Sequence, residues 1–127
     1  MWAVAMSTPA QAGGPNQSTV PKGFHYPESP ETIQVEVPFQ SNSLAGRVVD
    51  SAGSGVEKVL VECLRPGWVR RRSARFTDSE GAFVFPKQST GMRYLRLSKP
   101  GFKTMLVKVV IAKKAQPPLQ LELRVSQ

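Results

Sequence analysis

The side chains best suited to chemistry crowd into one stretch, Arg65–Arg75, which reads RPGWVRRRSAR. Five arginines, Arg65, Arg70, Arg71, Arg72 and Arg75, surround Trp68 within eleven residues. Guanidinium forks hold carboxylate, sulfate or phosphate at two points, and an exposed indole stacks on a sugar ring. Pro66-Gly67 places Trp68 on a connection between strands, where loops commonly carry binding. Alternation along the outgoing strand puts Arg70 and Arg72 on one face, beside Trp68, and Arg71 on the other. Trp68, Arg70, Arg71 and Arg72 are therefore the candidate ligand-binding residues, for a glycan or an anionic polymer. The competing reading folds Trp68 onto the rim of the domain and leaves the arginines solvated.

Other chemistries find little material. His25 is the single histidine and falls in a stretch that reads as linker. A two-histidine metal site or a histidine-centred triad inside the folded region is excluded. The nine carboxylates are scattered, so a convergent pair of the glycosidase kind would arise only by accident. Asp78-Ser79-Glu80-Gly81 brings two carboxylates together, whereas a Ca²⁺ site takes about 6–8 oxygens, so it reads as a turn capped by Asp78. Cys63 is the single cysteine, so it forms no intramolecular disulfide. It alternates with Val59 and Val61, which predicts a buried, inert thiol. No catalytic residue, metal or cofactor is expected.

The elements that must position these residues are strands. Eleven prolines and ten glycines argue for many turns and against long helices. Leu44–Asp50, Lys58–Arg65, Ser73–Thr77, Ala82–Phe85, Met92–Ser98, Lys103–Ile111 and Leu119–Val125 each show the period of two and are separated by turn signals. Seven short half-buried strands predict an all-β, antiparallel Greek-key sandwich of two sheets over residues 44–127. The expected core comprises Val48, Val59, Val61, Phe83, Phe85, Leu95, Leu97, Leu121 and Leu123. Ahead of it, residues 13–43 read as a flexible Gly-, Pro- and Ser-rich linker with one strand over Thr32–Val37, its Ile33, Val35 and Val37 facing one side. Residues 1–12 have the form of a shortened secretory signal: a brief apolar run, then Ala10-Gln11-Ala12. No stretch reaches the roughly 18–20 apolar residues of a membrane-spanning helix.

Charge divides the chain at the same place. Up to Ser43 there are one lysine and three glutamates; from Leu44 onward there are 16 basic and 6 acidic residues, within a net charge of +8. A basic folded region favours anionic partners or serves solubility alone. Nucleic acid ranks last among them, because no zinc finger, RNA-recognition signature or recognition helix is present.

The order of signals is informative in itself. Leu44-Ala45-Gly46-Arg47-Val48-Val49-Asp50 is followed by Gly53 and Gly55-Val56, and then by the strand of Val59, Val61 and Cys63. Thr77-Asp78-Ser79-Glu80-Gly81-Ala82-Phe83-Val84-Phe85, Gly91, Leu95-Arg96-Leu97-Ser98 and Pro100-Gly101-Phe102 complete the set. This series resembles the carboxypeptidase regulatory-like domain, a transthyretin-like (prealbumin-like) β-sandwich, from Leu44 to about Val125. Each piece has a physical use: Gly46 allows a close approach, Asp50 and Asp78 accept turn N–H groups, Gly81 and Gly101 supply positive φ, and Phe83, Phe85 and Phe102 fill the core. Members of that family often carry Gly-x-Tyr where this chain has Gly91-Met92-Arg93; Tyr94 comes one place late, on the opposite face, and Arg93 takes the inward slot near a sheet end. The resemblance implies a non-catalytic secreted or periplasmic module that binds carbohydrate or an anionic cell-envelope ligand. The alternative it implies is an adaptor for an envelope protein, with no small ligand.

Overall fold

The computed structural model describes residues 19–86, 88–114 and 116–126; the expected signal segment, residues 1–12, lies outside them. Among the described residues there are no helices and nine strands: β1 (Thr32–Gln34), β2 (Phe39–Ser41), β3 (Ala45–Val49), β4 (Leu60–Leu64), β5 (Arg71–Phe76), β6 (Ala82–Val84), β7 (Gly91–Ser98), β8 (Thr104–Ile111) and β9 (Leu119–Glu122). They form two sheets of a β-sandwich-like architecture. The larger runs β8-β7-β4-β5, with β1 and β2 both paired to the far side of β8; the smaller is β6-β3-β9.

Strands β3 to β9 fall where alternation placed them. The pairing is a correction to the antiparallel expectation: both sheets are mixed, because β1 and β2 run parallel to β8 and β9 runs parallel to β3. Alternation fixes which face a residue presents and carries no information about the neighbour or its direction. A second correction concerns residues 13–43. The described part of that stretch, from residue 19, lies against the sandwich and contributes two strands. The chain bends at Glu36–Val37, ahead of Pro38, and rejoins β8 one step further along. Val37 is consequently 75% exposed, where the pattern had set it beside Ile33 and Val35.

The core between the sheets is the expected one. Val48, Val59, Val61, Phe83, Phe85, Leu95, Leu97, Leu121 and Leu123 are all buried, with Phe102 packed against their edge. Each large side chain contributes about 1.5–3 kcal/mol by leaving water. Two turns frame it. Asp50 Oδ1 accepts from the N–H groups of Ala52 and Ser54, and Asp78 Oδ1 accepts from those of Glu80 and Ala82. Gly81 has φ +82°, and a Cβ there would collide with the Val48 carbonyl. Gly101 likewise takes a positive φ. At Gly46 a Cβ would come within 2.6 Å of the Leu119 Cβ, so the small residue is what allows β3 and β9 to pair. Arg93 occupies an inward slot, opposite Val109, and is satisfied by Gln88 and Ser89.

One strand departs from the half-buried pattern in a way that builds the site. All five residues of β4 are buried. Val61 and Cys63 face the core; Leu60, Glu62 and Leu64 face outward, yet they are covered as well. Over Leu60 and Glu62 the cover comes from residues 21–29. Phe24 meets Tyr26 and Phe76 edge-on, with centroids 5.1 and 5.6 Å away, over the position where Phe76 pairs with Leu60.

Candidate functional site

The outer face of the larger sheet is where chemistry collects. Glu62, in the middle of β4, is 1% exposed. A carboxylate can be buried only when counter-charges and donors surround it. Arg96 of β7, directly opposite in register, grips it twice: Nε donates to Oε1 at 2.8 Å and Nη2 donates to Oε2 at 3.2 Å. Arg71, at the start of β5, donates from Nη1 to Oε2 at 3.2 Å. His25 sets Nδ1 3.2 Å from the same oxygen. The hydrogen bonds to Glu62 push the Arg96 pKa upward despite its burial, so its charge is permanent.

Arg71 has a second task. Its Nη1 also donates to the Phe24 carbonyl at 2.6 Å, and Nη2 reaches the Pro21 carbonyl at 3.5 Å. It thereby fastens the 21–29 segment across β4 and β5. Tyr26 completes the fastening, its hydroxyl donating to the Lys58 carbonyl at 2.7 Å. Burial raises the Tyr26 pKa, which keeps the phenol neutral and donating.

Between this segment, β7 and β8 lies a groove of about 370 Å³. Its lining takes His25, Tyr26, Pro27 and Glu28 from the segment, Glu62, Arg96, Ser98, Thr104 and Leu106 from the sheet, and Trp68 from the β4–β5 connection. Trp68 is half-buried and stands nearly perpendicular to Tyr94, with ring centroids 5.1 Å apart. Its backbone is left-handed, with φ +66°, at a cost of about 1–2 kcal/mol for a residue with a Cβ. The edge-on contact with Tyr94 returns part of that cost, about 0.5–1.5 kcal/mol for such a pair.

The four residues singled out by sequence are therefore divided. Trp68 lines the groove. Arg71 supports it from behind, through Glu62 and the 21–29 segment. Arg70 and Arg72 are exposed and line none of it, and neither forms an ion pair among the described residues. A register shift between Cys63 and Leu64 breaks the simple alternation that had set Arg70 and Arg72 beside Trp68. Arg75 turns to the core side and lies 5.4 Å above the Phe85 ring. Cys63 is buried, and that burial raises its pKa against the lowering effect of Arg72 and Arg93.

Sequence reasoning missed Glu62, Arg96 and His25. One signal was present: Glu62 shares its strand face with Leu60 and Leu64, and a largely apolar outward face implies a cover. The identity of the cover was not readable, because His25 stands in a stretch without periodicity.

No protein-family model matches the chain, and no curated protein matches it. Among solved structures, the 3-chlorocatechol 1,2-dioxygenase from Rhodococcus opacus 1CP is similar at a TM-score of 0.43 and 11% identity, over 87% of this chain and 74% of that chain. A likeness of that strength says nothing about the groove, which is read from its own residues.

Proposed function

We propose that this chain is a non-catalytic, extracytoplasmic binding module of the transthyretin-like, carboxypeptidase regulatory-like kind, with Greek-key connections, and that it holds a carbohydrate in the Trp68 groove. The observation that carries this reading is the placement of Trp68. A half-buried indole in a costly backbone conformation, packed edge-on against Tyr94, lines a groove that mixes apolar surface from Tyr26, Pro27 and Leu106 with polar groups. Sugars present an apolar ring face and a polar rim, and that combination fits them. Support for a non-catalytic role comes from Glu62, which is committed to Arg71, Arg96 and His25 and is thus engaged in holding structure. The expected outcome on an array of neutral and acidic glycans is binding to a defined subset, abolished by Trp68→Ala. Turnover of a bound glycan, or an array pattern unchanged in Trp68→Ala, would refute the proposal.

The alternative, an adaptor for an envelope protein, draws on different features. Val69, at the tip of the β4–β5 connection, is 80% exposed, and β5 is one edge strand of its sheet. Exposed apolar tips and open strand edges are where protein partners add. Silence on the array, with capture of an envelope protein that Val69→Ser releases, favours that reading.

A further inference from the structure

The groove is charge-balanced, and the arginines that make the chain basic lie elsewhere. Glu28 and Glu62 bring carboxylates to it; Arg96 brings one guanidinium, and Arg71 a second behind Glu62. Arg65, Arg70 and Arg72 are exposed and outside its lining. An anion entering the groove meets two carboxylates against the single guanidinium that lines it, whereas a neutral ring carries no charge for them to repel.

The hydrogen-bonding groups left over are complementary. Arg96 uses Nε and Nη2 on Glu62; among the described residues its Nη1 has no partner and remains a donor. His25, with Nδ1 3.2 Å from Glu62 Oε2, adds the polar edge of an imidazole. Ser98 and Thr104 add hydroxyls that both donate and accept. Adjacent hydroxyls on a pyranose ask for donors and acceptors side by side, and Trp68 with Tyr26, Pro27 and Leu106 supplies apolar surface. The volume, about 370 Å³, sits near the lower end of the roughly 300–1,000 Å³ of small-ligand clefts.

From this balance, and resting on the glycan reading above, we infer that the groove selects an uncharged, hydroxyl-rich sugar ring over a uronic or sulfated one, with Arg96 as donor and His25 as a second polar contact, both held beside Glu62. Arg96 and His25 are then ligand-binding residues, and Glu62 is a positioning residue.

The test is calorimetric titration with two panels at low and moderate salt, about 0.02 and about 0.2 M. One panel holds cello-, xylo- and manno-oligosaccharides; the other holds oligogalacturonate, oligoguluronate and a sulfated galactan fragment. The expected result is binding from the neutral panel, with an affinity that changes less than about twofold between the two salts, since no net charge is neutralised. His25→Ala should weaken it by about tenfold, the scale of one hydrogen bond, and Trp68→Ala by more, with Trp68→Phe restoring part of the loss. Unchanged melting temperatures in these variants assign the loss to the groove. Binding from the acidic panel alone, weakened by salt and by Trp68→Ala, overturns this inference and leaves the glycan reading standing. Silence from both panels overturns both.

Discussion

At the scale of single residues, Glu62 is the centre of the molecule's outer face. It is buried, and three cationic or cationisable groups converge on its two oxygens. Glu62→Gln keeps the shape and removes the charge, leaving Arg71 and Arg96 facing each other. Because both arginines retain some contact with water, the loss should fall at or below the lower end of the about 3–5 kcal/mol typical of broken buried pairs. Urea denaturation measures it; a stability within about 0.5 kcal/mol of the wild type would show that the cluster holds nothing. Cys63 gives a second prediction, with a definite sign. Its thiol pKa is raised in the folded state by burial. Once the pH rises above the ordinary thiol value, the unfolded chain releases that proton while the folded chain keeps it, so stability falls toward alkaline pH. Cys63→Ala should flatten that decline in melting temperature while leaving the curve below it parallel to that of the wild type. The burial of Cys63 was legible from its alternation with Val59 and Val61. The role of Glu62 was not, since a polar residue on the second face of a strand ordinarily means water.

At the scale of elements, the strands were legible and their partners were not. Phe83 and Phe85, or Leu95 and Leu97, announce a face through their spacing. Nothing in Leu119–Glu122 announces that β9 runs parallel to β3, nor in Phe39–Ser41 that three residues after a proline extend the sheet at β8. The contact that fixes β9 is visible in one glycine. Gly46→Ala drives a methyl into Leu119 across the β3–β9 pair, and this should cost about 1–3 kcal/mol, the usual scale of overpacking. Hydrogen exchange of the β9 amides should rise more than that of β4 and β7. A uniform rise across all strands would place the strain elsewhere. The 21–29 segment is the element that sequence most understated. Low periodicity suggested a linker, whereas Arg71, Tyr26 and His25 attach it to the sandwich through backbone carbonyls and a buried carboxylate, contacts that leave no hydrophobic pattern behind.

At the scale of the whole molecule, charge and groove are separate features. The net charge of +8 concentrates beyond Leu44, and Arg65, Arg70 and Arg72 carry part of it on an exposed rim. The groove lies on the outer face of the larger sheet and draws its walls from β7, β8, the β4–β5 connection and the N-terminal segment together. Trp68 was legible as a candidate because it is an aromatic residue in a connection; its true companions come from three distant parts of the chain, and only the fold unites them. The most direct test of the central claim is chemical-shift mapping by NMR, using ¹⁵N-labelled protein and the oligosaccharide that gives the strongest array signal. The account predicts shifts centred on the Trp68 indole, His25, Ser98 and Thr104, with Arg70 and Arg72 unmoved. Shifts confined to Arg70, Arg72 and their neighbours, with the Trp68 indole silent, would contradict it.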